Sequence, residues 1–162
     1  MPRVAVLTIS DRSFAGTQED TSGAIAVALL TGALTLDEVH AEIVPDDRPL
    51  IEQTLRRWVD DEGYNLVITS GGTGISPRDV TPQATLNVAT YEVPGLAELM
   101  RTVSLQKTPM AALSRAVAVV RARSLIINLP GSPKGVRECL EAILPILPHA
   151  LEQLASGAGH PR

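Results

Sequence analysis

The chain has 162 residues, of which 44% are hydrophobic and 20% charged, an ordinary composition for a folded domain that excludes a disordered chain. Its net charge is −4 and its aromatic residues are one Phe, one Trp and two Tyr, so it lacks the basic surface and stacking platforms of nucleic-acid-binding proteins. Cys139 is the single cysteine, which excludes an internal disulfide, and with three histidines the sequence offers no zinc-binding pattern.

The length and the hydropathy pattern predict one soluble domain. No apolar run approaches the ~18 residues that a membrane span needs, and the N-terminus has no signal-peptide pattern. A lone cysteine fits a reducing compartment, so we expect a cytoplasmic protein with no membrane partner. We assign residues 1–155 to a single domain and residues 156–162 to a short flexible C-terminal tail.

The first half of the chain alternates predicted strands and helices. Apolar β-branched runs indicate strands, and apolar positions three and four residues apart indicate helices. In chain order we predict a buried strand at Arg3–Ile9, a helix capped by Thr21 or Ser22 and ended by Gly32, a strand at Glu38–Val44, a helix opened by Asp46, Asp47, Arg48 and Pro49, and a buried strand at Asn65–Thr69.

The second half continues the alternation and predicts an α/β fold. We expect a helix capped by Thr81, a helix opened by Pro94, strands at Ala116–Val120 and Ser124–Leu129 joined by a short turn, and a terminal helix opened by Pro133. Pro145 and Pro148 each remove a backbone donor, so we expect a bend or break in that terminal helix. The alternation predicts a mainly parallel sheet with helices on both faces, plus a short antiparallel hairpin.

Four polar or glycine-rich segments follow predicted strands. They are Ser10–Arg12, Pro45–Asp47, Gly71–Asp79 and Pro130–Pro133. Because ligands of open α/β sheets bind beyond the carboxyl ends of the strands, these segments are expected to meet at one edge of the sheet and to form the functional site.

The glycine-rich segment Ser70-Gly71-Gly72-Thr73-Gly74 is the most informative of the four. Its glycines allow close backbone approach and leave N–H groups free to face an anion, although such a turn also occurs as a simple tight connection. It matches neither the Walker loop nor the dinucleotide-binding fingerprint. Its continuation adds Ser76, Arg78, Asp79 and Thr81, which favours a binding role.

Asp46 and Asp79 are candidate ligands of a metal ion. One of Asp46 and Asp47 is needed to cap the helix that begins near Pro49, which leaves the other available. Asp79 lies two positions before Thr81 and is not needed as a cap, the alternative being a solvated loop carboxylate. Carboxylates from two strand ends suit Mg²⁺, which usually takes one or two of them plus substrate phosphates.

The turn Asn128–Pro133 is a second candidate anion site, because Pro133 in the first helical turn leaves N–H groups open at the positive end of the helix dipole. An ordinary strand-to-helix turn is the alternative. Ser114 and Arg115 offer a hydroxyl and a guanidinium, with a solvated arginine as the default. No histidine lies near a serine with an orienting carboxylate, so we find no nucleophilic triad.

Together these segments resemble the MogA/MoaB family, most closely its molybdopterin adenylyltransferase branch, which includes the gephyrin and plant G domains. The segments that carry the resemblance are Thr8–Arg12, Val44–Asp47, Thr69–Pro82, Leu113–Arg115 and Asn128–Pro133. The similarity covers essentially the whole chain, and the string from Gly-Gly-Thr-Gly to Arg-Asp-Val-Thr-Pro is its most specific part.

The resemblance implies a three-layer α/β domain that forms a homotrimer and transfers AMP from ATP to the terminal phosphate of molybdopterin, with the molybdenum insertase as a further partner. It places the two essential carboxylates at Asp46 and Asp79, which we expect to hold Mg²⁺, and a pterin-side hydroxyl at Ser114. Arg78 is expected to offset charge. The expected substrate contacts are Ser10, Asp11, Gly71, Gly72, Thr73, Gly74, Thr81, Ser114, Pro130, Gly131 and Ser132.

Two alternatives stay open at this point. A MoaB-type molybdopterin-binding protein with weak or no adenylylation would share the fold and the pterin pocket. A non-catalytic trimeric scaffold module would share the fold only.

Overall fold

The structure, a computed structural model, describes residues 1–157, so most of the predicted C-terminal tail, residues 158–162, lies outside the described residues. Within residues 1–157, six strands form one sheet: β1 (Arg3–Ile9), β2 (Glu38–Val44), β3 (Leu66–Ser70), β4 (Tyr91–Glu92), β5 (Ala118–Arg121) and β6 (Ser124–Leu129). The α-helices are α1 (Asp11–Phe14), α2 (Thr21–Ala33), α3 (Arg48–Arg56), α4 (Thr81–Val88), α5 (Pro94–Leu105), α6 (Pro133–Ile143) and α7 (Leu147–Ser156).

The strand order is β2-β1-β3-β6-β5-β4. The first four of these strands run parallel, and β5 and β4 are antiparallel to their neighbours. This confirms the predicted mainly parallel sheet with an antiparallel hairpin, and the carboxyl ends of β1, β2, β3 and β6 therefore meet at one edge.

Alternate residues of the central strands supply two separate cores, as expected for a sheet covered on both faces. Val4 and Val6 of β1 pack on one face, which α2, α5, α6 and α7 cover. Ala5, Leu7 and Ile9 pack on the other face, which α3 and α4 cover. The result is the three-layer arrangement that the family resemblance implies. Among the described residues, no helix is long and apolar enough to span a membrane.

The predicted start and end of α2 were wrong. Asp20, rather than Thr21 or Ser22, caps the helix, because its carboxylate accepts a hydrogen bond from the N–H of Gly23 at 2.9 Å. The helix also continues through Gly32, which keeps a helical backbone instead of the left-handed conformation of a terminating glycine.

The predicted cap of α4 was wrong as well. Thr81 is the first residue of the helix, and the capping position belongs to Val80, which makes no side-chain capping bond. The hydroxyl of Thr81 is unavailable for capping because it donates to the carbonyl of Gly71 at 2.9 Å.

The strand boundaries differ from the prediction by one or two residues. β3 begins at Leu66, one residue later than predicted. β5 begins at Ala118 instead of Ala116, because the side-chain oxygen of Asn128 accepts the N–H of Val117 and replaces a ladder bond. The short elements α1 and β4 were not predicted.

The expected break in the terminal helix is confirmed. α6 ends at Ile143 and α7 begins at Leu147, so Pro145 lies in the connection. Pro148 falls in the first turn of α7, where its missing N–H would have no intrahelical partner in any case.

We predict that Ala122→Gly stabilises the protein, because glycine adopts the backbone conformation of this position without strain. Ala122 lies in the turn between β5 and β6 with a left-handed φ of 51°, which costs a non-glycine residue about 1–2 kcal/mol. After the extra flexibility of glycine is subtracted, Ala122→Gly is expected to raise the free energy of unfolding by about 0.5–1 kcal/mol in urea denaturation. Ala33→Gly, in a right-handed helical position, is the matched control and is expected to lower it by a similar amount. Destabilisation by Ala122→Gly would contradict the prediction.

Candidate active site

Two cavities lie at the edge where the four parallel strands end. One has a volume of about 340 Å³ and is lined by Asp11, Asp46 and Asp79 among others; we call it the carboxylate cavity. The other has a volume of about 320 Å³ and includes Ser114 in its lining; we call it the Ser114 cavity. The sequence-based expectation that residues from all four strand-end segments gather at one edge is therefore confirmed.

Asp11 and Asp46 hold the loops after β1 and β2 together by a reciprocal pair of hydrogen bonds. The N–H of Asp11 donates to Asp46 Oδ2 and the N–H of Asp46 donates to Asp11 Oδ1, both at 3.0 Å. Asp47 caps α3 by accepting from the N–H of Leu50 at 3.0 Å. The neighbouring carboxylates are thus divided as expected, one capping the helix and one facing the cavity.

Asp79 reaches the same cavity from the loop after β3. Its Oδ2 accepts the N–H of Ser76 at 3.1 Å, and its own N–H donates to the carbonyl of Ser76 at 2.9 Å. These two bonds close a tight turn within the loop. The turn sets the carboxylate of Asp79 across the cavity from the loop that carries Asp46.

The carboxylates of this cavity influence one another. Burial raises the pKa of the Asp46 carboxyl above its ordinary value, the hydrogen bond from Asp11 opposes that rise, and the charges of Asp11 and Asp79 add to it. The pKa of Asp11, in contrast, is lowered by hydrogen bonds from the Arg78 side chain and the Asp46 backbone. A concentration of negative charge at this position favours a bound cation.

Arg78 forms a bidentate ion pair with Asp11, with the shortest nitrogen–oxygen distance at 2.8 Å. The pair is exposed and bridges the loop after β3 to the loop after β1. Arg12 also lines the carboxylate cavity, and among residues 1–157 no carboxylate forms an ion pair with it. Two guanidinium groups therefore stand at the cavity that holds the carboxylates.

The glycine loop has a backbone that side chains would not permit. Gly71 and Gly72 have left-handed φ values of 104° and 67°, and a Cβ on Gly71 would overlap the carbonyl of Ile9. Thr81 holds both glycines, because its hydroxyl donates to the Gly71 carbonyl and its N–H to the Gly72 carbonyl. Thr81 is fully buried, so its hydroxyl supports the loop from behind.

The glycine loop and the turn between β6 and α6 both present unpaired N–H groups. Within residues 1–157 no acceptor is found for the N–H groups of Gly72, Thr73, Gly74, Gly131 and Ser132. Such a row of free backbone donors is a cradle for anionic oxygens. Ser132 also caps α6 by accepting from the N–H of Gly135 at 3.1 Å, so the positive end of that helix dipole adds to the cradle.

The two glycine-containing turns form a wall between the cavities. Ser70 donates to the carbonyl of Pro130 at 2.9 Å, and a Cβ on Gly131 would come within 3.4 Å of the Cα of Gly71. Gly71, Gly72 and Gly131 line the carboxylate cavity, while Thr73, Gly74, Pro130 and Ser132 line the Ser114 cavity. A ligand in either cavity therefore contacts the same wall.

The Ser114 cavity combines an apolar floor with basic side chains. Its floor includes Ala97, Met100 and Cys139, with the Cys139 thiol 3.4 Å from the hydroxyl of Ser104. Burial raises the pKa of the Cys139 thiol, so it stays protonated, in keeping with its predicted place in the core. Its basic residues are Arg101, Lys107 and Lys134. Glu138 also lines the cavity, so three basic side chains face one acidic one, and such a lining suits a partly apolar ligand that carries negative charge.

The donor set of the carboxylate cavity fits Mg²⁺. Asp46 and Asp79 each use Oδ2 for a backbone hydrogen bond, and in the described part of the chain no donor is found for either Oδ1. No group of three or more His, Cys, Asp or Glu side chains suited to a metal occurs among the described residues. An ion here would have two carboxylates and would complete its shell with water and substrate phosphate, as Mg²⁺ usually does.

Most residues predicted for the site line one of the two cavities. The carboxylate cavity has Ser10, Asp11, Asp46, Gly71, Gly72, Asp79 and Gly131, and the Ser114 cavity has Thr73, Gly74, Ser114, Pro130 and Ser132. Arg78 stands beside them through its ion pair with Asp11, and Thr81 lies behind the glycine loop.

Sequence reasoning missed several basic residues of the site. Arg12 was part of the strand-end segment Ser10–Arg12 but was given no role, and Lys134 directly follows the segment Pro130–Pro133, so the position of each was a usable signal. Arg101 and Lys107 lie on or just after α5, far from any motif, and no sequence signal marked them. Arg115 was treated as solvated, whereas it is half-buried and donates to backbone carbonyls.

Comparisons with known proteins match nearly the full length of the chain. A family model described as probable molybdopterin binding domain matches residues 5–149. The molybdopterin adenylyltransferase of Helicobacter pylori strain J99 is 49% identical over 150 residues, covering 92% of this chain and 85% of that protein. The enzyme of the same name from Escherichia coli K12 is 46% identical over 142 residues, covering 87% of this chain and 73% of that protein.

A solved structure shows the same fold. The molybdopterin biosynthesis enzyme MoaB of Thermus thermophilus superposes with a TM-score of 0.88 at 54% identity, covering 96% of this chain and 98% of that one. The match to the family model, the identity to full-length relatives and the shared fold agree with one another. The chain therefore belongs to the family described as probable molybdopterin binding domain.

Proposed function

We propose that this protein is a molybdopterin adenylyltransferase, which transfers AMP from ATP to the terminal phosphate of molybdopterin and releases pyrophosphate. The observation that carries the proposal is the pair of cavities on either side of one amide-bearing wall, one rich in carboxylates and the other apolar and basic. A reaction that joins two phosphate-bearing substrates needs two pockets that meet at their phosphates. The names of relatives at 46% and 49% identity support the same activity.

We assign ATP to the carboxylate cavity and molybdopterin to the Ser114 cavity. The free N–H groups of Gly72, Gly74 and Gly131 would bind phosphate oxygens at the wall. Ser114 would contact the pterin, and Lys107 and Lys134 are placed to bind its acidic groups. In this assignment Thr81 acts by holding the glycine loop rather than by touching a substrate.

The reaction itself needs positioning and charge compensation more than proton transfer. An oxygen of the molybdopterin phosphate attacks the α-phosphorus of ATP, the bond to the α–β bridging oxygen breaks, and pyrophosphate leaves with that electron pair. The attacking phosphate is already anionic near neutral pH, so no strong general base is required. The chain's task is to bring two polyanions together, and backbone N–H groups, Arg12 and Arg78 would offset their charge.

Asp46 and Asp79 would hold Mg²⁺ through their Oδ1 atoms, which have no protein donor among the described residues. Bound there, the ion would neutralise phosphate charge that the carboxylates alone would repel. Asp11 has a different role in this proposal, because its oxygens are occupied by Arg78 and by the N–H of Asp46. Asp11 would fix the loop after β2, which contains Asp46, and would hold Arg78 over the cavity.

The alternative is a MoaB-type molybdopterin-binding protein with weak or no adenylylation, which the 54% identity to the Thermus thermophilus MoaB structure favours. Incubation of the purified protein with ATP, Mg²⁺ and molybdopterin separates the two functions. Adenylylated molybdopterin and pyrophosphate, formed only when Mg²⁺ is present, are expected for the adenylyltransferase. Tight molybdopterin binding without product would instead support the MoaB-type function.

We further propose a homotrimer that works in the cytoplasm and passes its product to the molybdenum insertase, as the family resemblance implies. Phe14 and Tyr91 are large apolar side chains that are exposed and lie outside both cavities. Size-exclusion chromatography with light scattering measures the mass directly. A monomer at micromolar concentration would contradict the trimer and leave the proposed chemistry intact.

We predict that Asp79→Asn lowers turnover by about 10²-fold or more, because it removes one of two charged ligands at the point where phosphate charge accumulates. Product formation at saturating ATP and Mg²⁺ measures the loss. Asp47→Asn is the matched control, since asparagine preserves the cap of α3 and Asp47 lies next to the site without lining the cavity. Near-normal turnover of a folded Asp79→Asn protein would refute the assigned role.

We predict opposite effects of Asp46→Asn on stability and on activity. The pKa of Asp46 is raised in the folded protein, so its charged form opposes folding above the ordinary pKa of the carboxyl. Asp46→Asn, which imitates the protonated form, is therefore expected to raise Tm near pH 7 while lowering turnover about 10²-fold or more. The gain in Tm is expected to shrink as the pH falls through the raised pKa and to vanish once wild-type Asp46 is protonated in both states. A gain in Tm that persisted at acid pH would point to another cause.

A further inference from the structure

Arg115 joins the two cavities through backbone hydrogen bonds. Its N–H donates to the carbonyl of Thr73 at 2.8 Å, its Nε to the carbonyl of Gly74 at 2.7 Å and its Nη2 to the carbonyl of Asp79 at 2.6 Å. The residue before it is Ser114, which lines the other cavity. The segment Ser114–Arg115 thus lines the Ser114 cavity with one residue and supports the loop that contains Asp79 with the other.

The loop from Gly74 to Asp79 has few other ties to the rest of the protein. Its internal bonds link Ser76 to Asp79, and its end is exposed, with Arg78 paired to Asp11 at the surface. Among the described residues, the remaining hydrogen bonds from outside the loop to residues 74–79 come from the Arg115 guanidinium. Arg115 therefore supplies two of the ties that hold this loop, one of them at the carbonyl of Asp79 itself.

The two ends of this loop, Gly74 and Asp79, are in close contact. A Cβ on Gly74 would come within 2.9 Å of Asp79 Oδ2, so the two ends of the loop lie against each other. The Arg115 fork spans these ends by binding one carbonyl from each. A shift of about 1 Å in a reacting group can cost on the order of 10²-fold in rate, so a group that fixes this distance affects the chemistry.

The Arg115 guanidinium donates to backbone carbonyls and pairs with no carboxylate of the described residues. Within residues 1–157 no carboxylate forms an ion pair with it, although its side chain is half-buried. A planar guanidinium can bind two carbonyls in a fixed geometry, whereas an ammonium cannot reproduce that fork. Lysine at this position would keep the charge and lose the geometry, which allows the two contributions to be separated.

We infer that Arg115 is a positioning residue, which holds the Asp79 carboxylate in the carboxylate cavity by clamping the Gly74 and Asp79 carbonyls from the segment that also carries Ser114. The inference rests on the proposed adenylyltransferase function for its consequence in catalysis. Its structural part, the fixing of loop 74–79, stands independently of that function.

The experiment compares Arg115→Lys and Arg115→Ala with wild type, and uses Arg121→Ala as the matched control. Arg121 is the last residue of β5, beside the hairpin turn at the opposite end of β6 from the cavities, where it donates to the carbonyl of Val88 at 2.8 Å and pairs with Asp60. Loss of the Arg121 side chain is expected to lower the free energy of unfolding without changing the structure of the site. Tm reports the stability of all four proteins.

Amide hydrogen exchange of loop 74–79 is the first readout and needs no substrate. Both Arg115 variants are expected to raise exchange of the Ser76 and Asp79 amides, the hydrogen-bonded N–H groups of this loop, by about 10-fold or more, because local opening no longer has to break the clamp, while Arg121→Ala leaves it at the wild-type level. Unchanged exchange in Arg115→Ala would overturn the inference whatever the activity of the wild type.

Turnover is the second readout. Arg115→Lys and Arg115→Ala are expected to lower kcat by about 10- to 100-fold with a smaller change in the KM for ATP, and millimolar guanidinium ion is expected to restore part of the kcat of Arg115→Ala only. Equal losses of kcat in Arg115→Ala and Arg121→Ala would reduce Arg115 to a structural residue and overturn the inference. Absence of product with wild type would instead contradict the proposed function, and the exchange measurement would still decide the role of Arg115.

Discussion

The site depends on one steric constraint, the close approach of backbone to backbone at the glycine loop. Gly71 and Gly72 have left-handed conformations, a Cβ on Gly71 would overlap the carbonyl of Ile9, and a Cβ on Gly131 would touch the Cα of Gly71 at 3.4 Å. This contact brings the two glycine-containing turns together, and residues of both turns line each of the two cavities. Thr81 maintains the contact from behind, through bonds to the carbonyls of both left-handed glycines.

Repulsion among the carboxylates of Asp11, Asp46 and Asp79 is the second feature that organises the site, and the ion pair of Arg78 with Asp11 offsets part of it. Burial and the neighbouring carboxylates raise the pKa of Asp46, while the ion pair with Arg78 lowers that of Asp11. Arg78 pairs with Asp11, whereas the Oδ1 atoms of Asp46 and Asp79 have no hydrogen-bond donor among the described residues. The protein thereby keeps a locally unfavourable charge arrangement that a bound divalent ion would relieve, a common cost of function.

Most of the fold could be predicted from the sequence because its determinants are local. The apolar run of β1, the alternating pattern of β2, and Pro145 and Pro148 at the break between α6 and α7 each act over a few residues. At the starts of α4 and β5, a hydrogen bond to a more distant residue had taken over: the Thr81 hydroxyl donates to the Gly71 carbonyl, and the Asn128 side chain accepts the N–H of Val117. Short-range patterns carry no information on such partners, which are distant along the chain.

The sequence alone indicated which groups meet at the edge with the two cavities. The glycine loop, Asp46 and Asp79 follow parallel strands, whose carboxyl ends must meet at one edge, and Ser114 was indicated by the family resemblance. How these groups are divided between the cavities became visible in the folded chain. It placed Thr73 and Gly74 on one side of the wall and Gly71 and Gly72 on the other, moved Thr81 behind the loop, and turned Arg115 from an expected solvent-facing residue into a clamp. The physical reason is that side-chain direction and hydrogen-bond choice depend on packing between segments tens of residues apart, whereas membership of the edge depends only on strand order and direction.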